Sequence, residues 1–210
     1  MKTKWLIIIG LAALVVMGFT RGIAKADVIV CPQVGFSIPI GKYADGLEAG
    51  LNFGIAVEYP LSEYVSVGGM INRNRFGVEV ESATGRDNVT TAGLFVKRAF
   101  AGRSESQFQF YGKVGLFAGA VKTSGSIAGY EIEGSTSICP GMEAMIGILT
   151  IGKGERAGFL LEFVYANLYT DGATLKGKIT KPGTLAVSTS EEINFNTTWF
   201  GVRAGIAFSL

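Results

Sequence analysis

The sequence predicts an all-β protein: an eight-stranded antiparallel up-and-down transmembrane β-barrel behind a cleavable signal peptide. Three observations carry this: a leader over residues 1–26, eight segments in which every second residue is apolar, and joins between segments that alternate short and long. The C-terminal segment TTWFGVRAGIAFSL is the clearest, with Thr198, Phe200, Val202, Ala204, Ile206, Phe208 and Leu210 on one face and Thr197, Trp199, Gly201, Arg203, Gly205, Ala207 and Ser209 on the other. A period of two is the mark of a strand whose faces meet different surroundings.

In the leader, Lys2 and Lys4 precede an apolar run from Trp5 to Phe19, and Ala24 and Ala26 stand two apart before Asp27. This is the order of a secretory signal peptide, and the run falls short of the roughly 20 residues that a spanning helix needs. Cleavage is expected after Ala26, leaving residues 27–210 as one barrel domain. Val28, Ile29 and Val30 provide no small residue beside Cys31, so lipidation there is not expected. The formal net charge of +2 belongs to the full chain. Lys2, Lys4, Arg21 and Lys25 leave with the leader, the rest is slightly acidic, and no nucleic-acid partner is expected. Hydrophobic residues make up 48% of the chain, with 30 glycines, yet no later stretch has 18 consecutive apolar residues. A membrane can then be crossed only by strands.

The other segments follow in chain order. The first places Val28, Val30, Pro32, Val34, Phe36 and Ile38 on one face, and the second sets Leu47, Ala49, Leu51, Phe53, Ile55, Val57 and Tyr59 against Glu48, Gly50, Asn52, Gly54, Ala56 and Glu58. The third starts in phase at Val65, Val67, Gly69 and Ile71, then puts Arg73 and Arg75 on the same face, which predicts either a bulge or the end of a lipid-facing band. The fourth sets Ala92, Leu94, Val96 and Phe100 against Gly93, Phe95 and Lys97; the fifth sets Phe108, Phe110, Val114, Leu116, Ala118 and Ala120 against Gln107, Gln109, Tyr111, Lys113 and Gly115. The sixth sets Ile138, Met142, Ala144, Ile146 and Ile148 against Cys139, Gly141, Glu143 and Gly147, and the seventh sets Phe159, Leu161, Phe163 and Tyr165 against Gly158, Leu160, Glu162 and Val164.

The polar faces decide what lies outside. A soluble sandwich would wet them with several charges each, whereas these carry one or two among many glycines, as an enclosed face would. The apolar faces run for about ten residues, the length of a tilted strand crossing a bilayer. With both termini periplasmic, the inner joins are PLSE, AGRSES and TIGKGER, and the outer joins include ESATGRDN, KTSGSIAGYEIEG and TDGATLKGKITKPGTLAVSTSEEIN. Short inner turns and long outer loops are the pattern of bacterial outer-membrane barrels.

The leader, the stretch GFSIPIGKYADGLEAGLNFGIAVEYPLSEYVSVG and the terminal alternation resemble the eight-stranded outer-membrane β-barrel proteins, the group that includes the transmembrane domain of outer membrane protein A and its small relatives. The resemblance implies residence in a bacterial outer membrane, contact with outer-membrane lipid and lipopolysaccharide, a monomer, and a C-terminal insertion signal at Ile206, Phe208 and Leu210 read by the barrel-assembly machinery. Members of the group usually end in Phe, where this chain has Leu210.

The chain has no histidine, which removes histidine triads, proton shuttles and metal ligands. No catalytic residue, cofactor or metal is expected. Glu48, Glu58, Glu143 and Glu162 are read as partners of Lys97, Lys113 and Arg203 in a narrow lumen, because unpaired charge there would be costly. Gly50, Gly54, Gly115, Gly119, Gly201 and Gly205 are read as lumen positions where neighbours leave no room. Cys31 and Cys139 sit at different heights, so a disulfide is not expected. GKGER lacks the spacing of a phosphate loop. The expected role is structural or surface interaction. Two alternatives stand: a small pore or transporter, to which Phe95, Phe117 and Met145 would contribute, and a secreted lipocalin-like barrel with inverted faces around an apolar ligand.

Overall fold

The computed structural model describes residues 28–80, 83–100, 108–150, 156–181 and 186–210. The leader with its cleavage site, the turn AGRSES and most of TIGKGER lie outside the described residues. Within them the chain forms β1 (Ile29–Ile40), β2 (Gly50–Pro60), β3 (Val65–Val80), β4 (Ala83–Ala99), β5 (Gln109–Ile127), β6 (Tyr130–Thr136), β7 (Cys139–Leu149), β8 (Ala157–Leu168), β9 (Thr174–Thr180), β10 (Val187–Glu192) and β11 (Thr197–Ser209).

Eight of these close a ring in the order β1, β2, β3, β4, β5, β7, β8, β11, every pair antiparallel. The closing pair is β1 with β11, from Ile29↔Ser209 to Ile40↔Thr198, and the last residue adds Leu210 N–H to the Val28 carbonyl at 2.9 Å. Closure leaves no free edge in the spanning region, which is the condition for a sheet to sit in hydrocarbon.

Alternation is kept around the ring. Leu116 is 70% exposed and its neighbour Phe117 only 7%. Phe36, Phe53, Ile71, Leu94, Ile146, Phe163, Val202 and Phe208 stand outward, while Asn52, Lys97, Lys113, Glu143, Glu162 and Arg203 are buried. A lipocalin-like barrel would need the reverse, so that reading is overturned: Phe53, Phe163 and Phe208 are exposed, and Lys113, Glu143 and Glu162 face in. On β3 the register against β2 and β4 runs unbroken through Arg73 and Arg75. There is no bulge; the two arginines stay on the outward face and mark the end of the apolar belt.

The outer joins differ from loops. Above the belt, β3, β4 and β5 continue, and β6, β9 and β10 extend them as one sheet in the order β5, β6, β9, β10. Ala128 and Gly129 both have positive φ, as a two-residue hairpin turn between right-twisted strands requires. Where β8 passes into β9 and β10 into β11, the chain breaks step and is stitched by Gly172 N–H to the Ile193 carbonyl, Ile193 N–H to the Ala173 carbonyl and the Thr170 hydroxyl to the Phe195 carbonyl, at 2.7 to 2.9 Å.

The belt yields a direct test. Val114 stands outward midway along the apolar run of β5. Val114→Arg should cost about 2–4 kcal/mol in lipid vesicles, the penalty for a cation at the bilayer midplane. Reversible urea unfolding in phospholipid vesicles measures it, and a change near zero would contradict lipid contact.

Candidate functional site

The lumen gathers charge because every second residue of each strand is forced inward. Lys97 of β4 pairs with Glu58 of β2. Lys113 of β5 pairs with Glu162 of β8 at 2.5 Å, and Arg203 of β11 meets Glu143 of β7 at 3.6 Å. Three cations therefore face three carboxylates, all nearly inaccessible to solvent.

Glu162 is the hub. Besides Lys113 it accepts a hydrogen bond from the Tyr111 hydroxyl at 2.8 Å and one from the Gln33 side-chain amide at 3.3 Å. The cations also lie over rings, Lys97 4.9 Å from the centre of Tyr111 and Lys113 4.6 Å from the centre of Phe95. A ring face returns part of the attraction that a buried ammonium loses with its water. Alternation alone puts Tyr111 and Gln33 on this face; what joins them to the charges is the stagger between distant strands, which no local pattern displays.

Glu48 is placed elsewhere. It is exposed at the outer rim, its backbone N–H bonded to the Gly77 carbonyl at 2.9 Å. The alternation of the second segment was extended through it, but the strand starts only at Gly50, after a turn containing Gly46 at φ 77°. Between the turn and the strand the pairing with β3 slips by one residue, Leu47↔Val78 against Leu51↔Arg75, so Leu47 turns in against the core and Glu48 turns out.

Above the charges the lumen is packed with rings. Trp199 is 1% exposed, with Phe117 at 6.2 Å between ring centres. It lies level with Pro39 and Ala166, inside the wall and not above the belt. Phe95, Phe117 and Met145 are all buried here. The glycines opposite make the space: a Cβ on Gly141 would collide with the Phe117 ring, one on Gly147 would come within 2.6 Å of the Tyr111 ring, and one on Gly115 within 2.9 Å of Met70 Cε. Beside the rings, Asn74 Oδ1 accepts from Ser37 and from Asn52, both at 2.7 Å. At the outer mouth Tyr43 packs edge-on against Phe76 at 5.6 Å and at a shallow tilt against Phe195 at 6.3 Å.

Cys31 and Cys139 are both buried and form no disulfide, the Cys139 thiol donating to the Ser137 carbonyl at 3.3 Å. Ile206 and Phe208 face outward on β11, paired with Phe159 and Ala157 of β8, and Leu210 is exposed at the end.

A closed strand barrel with an apolar belt and a polar, filled interior is an integral outer-membrane β-barrel protein. The sequence matches no family model and none of the curated proteins. Solved structures do match in fold. A major outer membrane protein from Thermus thermophilus aligns with TM-score 0.61 at 8% identity, over 87% of this chain and 99% of that one. The outer membrane protein OprG from Pseudomonas aeruginosa gives 0.56 at 15%, covering 89% and 98%. Neisserial surface protein A gives 0.53 at 11%, covering 89% and 100%.

Two variants probe this interior. Removing one partner of a buried ion pair costs about 3–5 kcal/mol, so Glu162→Ala should lower the unfolding free energy by that amount. Denaturant unfolding checks it; a loss below about 1 kcal/mol would mean the charges are wet. Asp87, buried at the mouth above the belt, has its carboxyl pKa raised from 3.8 by burial, with the Thr123 and Tyr43 hydroxyls easing it back. The folded state then holds this proton to higher pH than the unfolded state, so stability is full below pH 3.8 and falls as pH rises through the folded value. Asp87→Asn should raise the urea midpoint at pH 7 and leave it unchanged at pH 3.

Proposed function

We propose that this barrel is a non-catalytic, non-conducting membrane body that acts as a monomer and presents its external sheet at the cell surface. The observation that carries the reading is the filled lumen: three ion pairs crossed by Trp199 and Phe117 leave side chains where a channel would need water. An eight-stranded ring encloses little more than side-chain space, and the inward carboxylates are committed to cations, not to a substrate. Without histidine, general acid-base chemistry at neutral pH has no ready group.

The outward parts support an interaction role. The sheet of β6, β9 and β10 rises above the belt, and all six residues of β10 are exposed. Because β8 pairs directly with β11 from Leu168↔Thr197 to Ala157↔Phe208, the ring does not depend on β9 and β10.

Planar-bilayer recording of the purified protein should show no steady conductance. A large, stable conductance whose ion selectivity changes in Glu143→Gln would establish the small-pore reading instead. Replacing residues 174–192 by a short turn should preserve the heat-modifiable gel mobility of a folded barrel and alter surface adhesion or envelope integrity. If that variant behaves as the parent while loss of the whole protein does not, the barrel body carries the role.

A further inference from the structure

The external sheet has two edges, and the chain treats them differently. On the β3 side the turn before β2 covers the edge, with Leu47 bridged to Val78 and the Glu48 N–H bonded to the Gly77 carbonyl at 2.9 Å. On the other side, among the described residues, β10 pairs with β9 alone. Its register is unbroken from Val187↔Ile179 to Glu192↔Thr174, and all six of its residues are exposed.

Which main-chain groups meet the open side follows from the hydrogen bonds of one residue. Just past the strand, Ile193 N–H bonds to the Ala173 carbonyl and the Ile193 carbonyl accepts from Gly172 N–H, so Ile193 faces the β9 side. Successive residues of an antiparallel strand alternate between its two neighbours, which turns Glu191, Thr189 and Val187 toward β9. Ser188, Ser190 and Glu192 therefore hold their N–H and C=O groups out over the open edge. Edge strands are ordinarily blunted by lysine, proline or a bulge, and VSTSEE has none of these.

The side chains say what kind of strand fits. On one face Ile132, Ile179 and Val187 are register partners across β6, β9 and β10, and the stripe stops at the edge with Val187 63% exposed. At the end that leads into β11 stand Glu191 and Glu192, both exposed, and among the described residues neither has an ion-pair partner. A second copy of β10 brings them no cation, since VSTSEE contains none.

We propose that β10 is a docking edge for an extended strand of another protein, added antiparallel, with basic residues opposite Glu192 and Glu191 and an apolar residue opposite Val187. Main-chain bonds at Ser188, Ser190 and Glu192 supply the attachment, and the unlike ends of β10 set the register, as in recognition by strand addition. The apolar residue continues the stripe by one strand, and the cations neutralise both carboxylates across the new pair. The inference rests on the surface role proposed above and names the kind of partner that role requires.

The probe is a disulfide-closed β-hairpin whose free strand reads Lys-Lys-Thr-Val-Thr-Ile, titrated by fluorescence anisotropy against the full chain in detergent. The parent should bind it, and Ser190→Pro should weaken binding about tenfold, because proline removes an N–H from the open edge and none from the ladder with β9. Glu191→Gln with Glu192→Gln should weaken it about fivefold at low salt. A hairpin with Glu-Glu in place of Lys-Lys should bind the parent at least as weakly as the basic hairpin binds that double variant. Heat-modifiable mobility confirms folding; should Ser190→Pro misfold, N-methylation of the hairpin's third residue, which lies opposite Ser190, makes the same test on the parent. No binding to the parent, undiminished binding in Ser190→Pro or with the N-methylated hairpin, or equal binding of the acidic hairpin would each overturn the docking edge. If that happens while replacement of residues 174–192 still alters adhesion, the surface role stands without it. A bound hairpin beside an adhesion that the replacement leaves unaltered would sink the surface role and leave the docking edge standing.

Discussion

Hydrocarbon supplies no hydrogen bonds, so every backbone N–H and C=O that crosses it must find its partner within the chain. Here that demand is met when β1 and β11 come together, ten residues of β1 lying against partners in β11. Once the ring is closed, parity is no longer free. Each strand must send alternate residues to the lipid and to the lumen, and a slip of one residue would exchange the two sets. The apolar belt, the buried charges and the position of every interior glycine follow from that one condition.

The lumen shows what closure costs and how the sequence offsets it. Inward residues of eight strands converge on a space too narrow for them all to be large. Gly68, Gly115, Gly141 and Gly147 alternate with Phe95, Met70, Phe117 and Tyr111 across the ring, each small residue lying under the ring or chain that fills its place. Polar residues on this face meet a low dielectric, where an unpaired charge is expensive. The three carboxylates and three cations balance, and Tyr111 and Gln33 occupy further acceptor sites of Glu162. A channel would require these pairs to part, which is why the filled interior and the proposed closed state are one argument.

Much of this was legible in the sequence because alternation is a local signal with a large energetic consequence. Phe200, Val202 and Ile206 against Arg203 could be sorted by counting in twos, and so could Lys113 and Glu143. Three features were not legible. The external sheet carries only a short apolar stripe, Ile132, Ile179 and Val187 in register across β6, β9 and β10, too brief to betray it: β10 is exposed throughout, and its ladder is held by backbone hydrogen bonds that any sequence can make. Glu48 shares the parity of the second segment but lies before the strand begins, since the turn at Gly46 is a backbone event. The partners of Glu162 exist only across strands, Gln33 on β1 and Tyr111 and Lys113 on β5, so each of them read alone looks like an ordinary lumen residue.

The account stands on Trp199 facing a dry lumen and not the lipid. Trp5 lies in the leader and Trp199 is the other tryptophan of the chain, so in a Trp5→Phe background its fluorescence reports one site. Quenching in vesicles by aqueous iodide and by lipids brominated along the acyl chain measures both exposures in one experiment. The account predicts weak quenching by each, beside strong quenching by brominated lipid when the ring is moved one residue, in Trp199→Phe with Phe200→Trp. Strong iodide quenching of Trp199 would mean an open lumen, and strong bromolipid quenching would mean that the faces are reversed; either result would contradict the account.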